Sequence, residues 1–186
     1  MLSNVPIQNF LASRDLSIDP WKKEMLGSCR VTLHLGEKIL IPDGKVVVDV
    51  KNNITPDYEE VKLTDSDPFK LEPGMFVVGE TFETIGLSER VAMIVDGRST
   101  FARLGISVVQ TAILADSGQK PKKTTLEIKN SGPNPFLLYP RMRFCRAFFL
   151  ELNPPATLRY DSEGRYQSGD SNKPIFRNDI KEDKDN

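Results

Sequence analysis

What most constrains this chain is its punctuation. Apolar residues alternate in short runs, and Gly, Pro or Asp breaks each run before a helical period can build up. In RVTLHLG at 30–36, Val31, Leu33 and Leu35 fall on one face. KILI at 38–41 and KVVVDV at 45–50 flank Pro42-Asp43-Gly44, a spacing that predicts a hairpin. Further strands are predicted at 75–83, 91–95, 106–111, 123–129, 136–139 and 143–151. Helical spacing is confined to the start. There Ser3 can cap a helix with Pro6 in its first turn and Ile7, Phe10 and Leu11 at i, i+3 and i+4, ending near Ser13. A single helical turn fits Phe101 to Leu104. The expected fold is mainly β, a sandwich or distorted barrel with one or two short helices.

A chain of 186 residues with 39% hydrophobic content can bury one sizeable core, expected over 1–152. From Asn153 the sequence turns polar and ends in a charge run, so 153–186 reads as a C-terminal arm, frayed at 180–186. A net charge of −1 gives no global field to gather DNA or RNA, so no nucleic-acid partner is expected. Two cysteines, Cys29 and Cys145, and one histidine, His34, cannot build a disulfide framework or an ordinary zinc site. Cys145, inside FCRAFFL, reads as a buried, inert thiol. The N-terminus shows no signal-peptide pattern, and no apolar run approaches about 18 residues. A soluble, cytoplasmic protein without a membrane partner is the expectation.

Two features can carry chemistry. In KTTLEIKN at 123–130 the side chains alternate, Leu126 and Ile128 to one side, Thr125, Glu127 and Lys129 to the other. Glu127 is therefore either a solvent-face carboxylate beside Lys129 or a general base in a pocket, its pKa raised by burial. The second feature is Gly97-Arg98-Ser99-Thr100, which offers forked donors and hydroxyls to a phosphate, or is a surface turn. Arg103 adds a second guanidinium there or forms an ion pair. Asp116, ahead of Ser117-Gly118, can hold a sugar hydroxyl or orient a water, or simply cap the turn. Thr111 and the small Ala112 sit just before it. In the arm, Arg159, Tyr160, Arg165, Tyr166 and Gln167 can fold over an anionic ligand.

In this order the pieces resemble the trimeric dCTP deaminase and dUTPase superfamily, more closely its dCTP deaminase branch. GRSTFARLG at 97–105 is similar to that branch's phosphate motif, and the TA pair at 111–112 with Asp116 and Gly118 to its next motif. TLEIKN at 125–130 carries the catalytic glutamate, and YDSEGRYQ at 160–167 is similar to the arm that covers the nucleotide. LSIDP at 16–20, VTLHLG at 31–36, LEPGMFVVGETFETIGL at 71–87 and LLYPRMRF at 137–144 extend the likeness over nearly the whole chain. The resemblance implies a dUTPase-type, jelly-roll-like barrel in a homotrimer with sites between subunits, and magnesium bound through the triphosphate with no zinc. It also implies hydrolysis of dCTP to dUTP and ammonia, with continuation to dUMP and pyrophosphate in some relatives. Glu127, Ser99, Arg103 and Ala112 would serve catalysis. Arg98, Ser99, Thr100, Thr111, Asp116, Tyr160, Arg165 and Gln167 would bind nucleotide.

The chain departs from the pattern at several points. Thr32 stands where relatives carry an aspartate and Val109 where a polar residue is common. Pro121-Lys122 replaces a glycine, and the interval from Asp116 to Glu127 is one residue longer. Arg141 replaces a glycine, Arg146 a glutamine and Arg165 the arm's lysine. A glycine replaced at 141 would admit an arginine side chain to the ligand space or create a new phosphate contact. Two other functions therefore stand beside deamination: a dUTP pyrophosphatase, and a nucleotide-binding or regulatory homologue that has lost turnover.

Overall fold

A computed structural model describes residues 1–163 and 173–174. Its elements follow the alternation. Helix α1 (Asn4–Ser13) buries Ile7 and Phe10, the i and i+3 pair of its apolar stripe. Ser3 occupies its N-cap position, but its hydroxyl makes no capping bond. Strands β1 (Leu16–Asp19), β2 (Val31–Pro42), β3 (Tyr58–Lys62), β4 (Phe69–Leu71), β5 (Phe76–Leu87) and β6 (Val91–Gly97) come next. The one-turn helix α2 (Ser99–Ala102) leads to β7 (Ile106–Ser107), β8 (Leu114–Ala115), β9 (Gln119–Asn130), β10 (Phe136–Leu138), β11 (Arg143–Glu151) and α3 (Tyr160–Glu163).

Among the described residues the main sheet runs β7-β9-β5-β2-β11-β6-β8, with β1 added to β5 and β3 to β2. All its pairings are antiparallel, so alternate side chains fill one core. Val31, Leu33 and Leu35 from β2, Leu126 and Ile128 from β9, and Cys145, Ala147 and Phe149 from β11 are all fully buried there. Phe101 of α2 seals one end against Phe136 and Phe144, with ring centres 5.4 and 5.5 Å away. Interruptions of register in β5–β9 and β2–β5 bend the sheet into a half-barrel. The long strands β5 and β9 form its spine. The fold is mainly β with short helices, a curled half-barrel, as the sequence implies.

Two strand expectations are corrected. Residues 38–41 continue β2, but 45–50 form no strand and only Asp49 bridges to Ile54. The partner of β2 is instead β3, with Ile39 opposite Val61. Val46, Val47 and Val48 are exposed, Val47 to 87%, because no ladder or core face reaches the loop. The run 106–111 is a ladder only at Ile106 and Ser107. Val108 and Val109 are buried by packing alone, which is why their apolarity mimics a strand.

The turn after α2 is fixed by a close backbone crossing. Gly105 has φ +81°, and a Cβ there would lie 2.4 Å from the nitrogen of Gly132. A Cβ on Gly132 would in turn meet the Leu104 carbonyl. Only two glycines allow these segments to cross.

Candidate active site

Glu127 lies on β9, paired with Val78 of β5, on the face away from Leu126 and Ile128. That face is not open to solvent. It floors a cavity of about 400 Å³ walled by Phe76, Val78, Val95, Val109, Ala112, Asp116, Thr124 and Thr125, with Lys122 and Tyr160 at one side. Burial pushes the Glu127 carboxyl up, against a weaker lowering by the backbone N–H of Gln110, 3.5 Å from Oε2. Gln110 is itself pinned, its amide donating to Ser107 Oγ at 2.8 Å and to the Glu127 carbonyl at 3.3 Å. Glu127 therefore faces a cavity rather than open solvent. Thr124 Oγ1 in the same wall is buried and has no hydrogen-bond partner among the described residues, a polar atom left for a ligand.

The arm begins over this cavity. The N–H groups of Tyr160 and Asp161 donate to the carbonyls of Ser117 and Gly118, seating α3 on the turn after Asp116. Arg159 pairs with both Glu89 and Asp161. Lys122 Nζ stands 4.3 Å from the centre of the Tyr160 ring. Burial lowers the Lys122 ammonium pKa. Lys173 and Pro174 also line the cavity, with Lys173 Nζ over the Tyr58 ring. Arg165 and Gln167 lie outside the described residues.

The chain gathers Glu127, Ala112, Asp116 and Tyr160 around one cavity, whereas Arg98, Ser99, Thr100, Arg103 and Thr111 do not line it. Ser99, Thr100 and Arg103 are exposed on and after α2. Arg98 turns toward β11, where its Nη1 donates to the Arg143 carbonyl at 2.5 Å and its guanidinium lies 5.4 Å from the Phe101 ring centre. Glu127 and the turn at 97–100 thus lie at separate places on the chain.

Sequence reasoning missed the acids inside β5. Glu83 is only 1% exposed and accepts from the backbone N–H of His34 at 3.0 Å and from its ring Nδ1 at 2.5 Å. Glu80 pairs with Lys123 at 2.5 Å. Both partners are more than forty residues distant in sequence, and no local spacing signals them. Cys145 is buried as expected, and burial beside Glu83 drives its thiol pKa far up. Arg141 does not enter the cavity. It takes φ 58°, pairs with Glu37 at 2.6 Å and packs over Phe82.

The residues around the turn at 97–100 offer a divalent cation few ligands. Thr32 and Asp96 face Arg146 from the neighbouring strands, and the Asp96 carboxylate accepts from the Gly97 N–H at 2.6 Å. Among the described residues no three His, Cys, Asp or Glu side chains converge. No described helix is long and apolar enough to cross a membrane.

Residues 1–152 match the dCTP deaminase-like family. The chain belongs to that family. Within it, the chain is 36% identical over 165 residues to a protein of Dictyoglomus turgidum named dCTP deaminase, dUMP-forming, covering 86% of this chain and 84% of that one. It is 30% identical to a Persephonella marina protein of the same name, covering 95% and 97% of the two chains. A Rhodospirillum rubrum dCTP deaminase is 32% identical, with 94% of both chains covered. The fold is also that of the Agrobacterium tumefaciens 2'-deoxycytidine 5'-triphosphate deaminase, with a TM-score of 0.59 at 20% identity. That match spans 80% of this chain and 46% of that one.

Proposed function

We propose that this protein is a hydrolase that deaminates dCTP to dUTP and ammonia. One observation carries the reading: a half-buried carboxyl with a raised pKa, Glu127, floors a cavity of nucleoside size. A carboxyl whose pKa burial has raised holds a proton more readily than a solvated one and can pass it on. Glu127 accepts a proton from water, the resulting hydroxide adds to C4 of cytosine, and the protonated Glu127 passes its proton to the base. Glu127 then carries the C4 hydroxyl proton to the amino nitrogen, and as the C4=O bond forms the C4–N4 bond breaks and ammonia leaves. Water and dCTP are consumed, and the atoms balance without a redox partner.

Glu127, on the floor of the cavity, is the group that activates the water. Asp116 holds the sugar, Tyr160 closes the cavity, and the small Ala112 lets the ligand approach the backbone. Arg98, Ser99, Thr100 and Arg103 are supplied by a second copy of the chain. They bind the phosphates, while Ser99 and Arg103 stabilise charge developing at C4. Their place away from their own Glu127 cavity supports a homotrimer with sites between subunits. The names of the Dictyoglomus and Persephonella relatives support a second step, in which Asp116 directs water at phosphorus and dUTP becomes dUMP and pyrophosphate.

Incubation of the protein with dCTP, and separately with dUTP, followed by separation of the products, tests the proposal. Ammonia with dUTP or dUMP supports it. Turnover of dUTP alone, or binding without any product, contradicts it.

A further inference from the structure

Arg146 stands opposite Thr32 on β2 and opposite Asp96 on β6, so the three side chains share one face at the foot of the phosphate turn. Cys145, one residue earlier, is paired with Gly97, the residue that opens the turn. Arg98 reaches back over this face to the Arg143 carbonyl. Arg30 precedes β2 on the same side, close enough that its charge, with those of Arg143 and Arg146, acts on the Arg98 guanidinium and adds to the effect of burial.

None of the four arginines forms an ion pair among the described residues. The nearest acid in register, Asp96, accepts instead from the Gly97 N–H. Four like charges held together repel one another, and burial of Arg98 worsens the repulsion. A polyanion relieves it. Guanidinium forks match phosphate oxygens, whereas a threonine opposite an arginine gives a divalent cation no anionic ligand.

We propose that Arg30, Arg98, Arg143 and Arg146 form a metal-independent triphosphate subsite, in which guanidiniums supply the charge that magnesium would otherwise bring. The proposal rests on reading the turn at 98–103 as the phosphate site. It departs from the expectation that magnesium enters with the nucleotide. Arg146 has the central part, because it occupies the face where Thr32 leaves no carboxylate to hold a cation.

The test measures binding of inorganic tripolyphosphate to the whole protein by calorimetry in EDTA, then in magnesium, beside dCTP turnover in both buffers. Wild type binds tripolyphosphate in EDTA, more weakly as salt rises, and any dCTP turnover in EDTA stays within about threefold of that in magnesium. Arg146→Gln loses about tenfold or more in tripolyphosphate affinity in EDTA, the loss expected for one charge-assisted contact. Arg146→Lys falls between them. Tripolyphosphate binding that requires magnesium overturns the proposal, and this wild-type result stands even if the variants fold poorly. Tight metal-free binding with no turnover of dCTP upholds the arginine subsite while rejecting the deaminase reading.

Discussion

The Oε2 atom of Glu127 lies 3.5 Å from the backbone nitrogen of Gln110, the contact that opposes burial at this carboxyl. At that distance the hydrogen bond is weak, and burial prevails. The folded state therefore holds the Glu127 proton more tightly than the unfolded chain does. This contribution favours folding below the ordinary carboxylate range and is lost as pH rises through that range toward the folded pKa. Glu127→Gln is expected to melt slightly higher than wild type near pH 8 and to lose that advantage near pH 4. Thermal melts at the two pH values check this. Equal melting differences at both would show that Glu127 is not perturbed.

Subunit mixing probes how the two halves of the site come together. Glu127→Ala and Arg103→Ala are each expected to be inactive on dCTP. Unfolded or dissociated together and reassembled, they should regain part of the wild-type rate, because in the proposed trimer a mixed assembly contains a site with both wild-type halves. No recovery in verified mixed assemblies would place both groups in one subunit's site.

Glu83 is the acid whose removal should cost most. It is almost fully buried and receives two hydrogen bonds from His34. Glu83→Ala leaves that histidine without its acceptor, and a loss of about 3 kcal/mol or more is expected from chemical denaturation. His34→Ala strands the buried Glu83 carboxyl with only the backbone N–H of residue 34, so it should cost at least as much.

At the crossing of 104–105 with 131–132, Gly105→Ala drives a Cβ into the backbone of Gly132. A destabilisation above about 2 kcal/mol is expected. Because the same crossing sets α2, phosphate binding should weaken as well. A neutral melting curve would mean that the crossing yields more easily than its geometry implies.

Arg141 leads to the opposite expectation. Its left-handed φ of 58° costs an arginine about 1 kcal/mol, and glycine removes that cost. The exposed Glu37 pair offers little in return. Arg141→Gly should therefore melt no lower than wild type and leave dCTP turnover unchanged. A clear fall in turnover would place Arg141 at the ligand.

Much of the fold can be read from alternation, because one face of each long strand meets the core. Val31, Leu33, Leu35, Leu126 and Ile128 show this directly. The same rule misreads 45–50, where three valines alternate with nothing yet have no strand to pair with. Which face holds Glu127 could be read from its neighbours. That this face is walled by Val109, Ala112 and Tyr160 could not, since the sheet must curl before those residues meet. The His34–Glu83 and Lys123–Glu80 pairs are hidden for the same reason. Arg146 is visible in the sequence as a departure, but only strand register reveals that it faces Thr32.

The most direct measurement of the central claim pairs ammonia release from dCTP with dCTP binding for wild type and Glu127→Gln. The account predicts that the variant loses about a thousandfold or more in turnover, as removal of a general acid–base group does, while its dCTP affinity stays within about threefold. A variant that releases ammonia at the wild-type rate would contradict it.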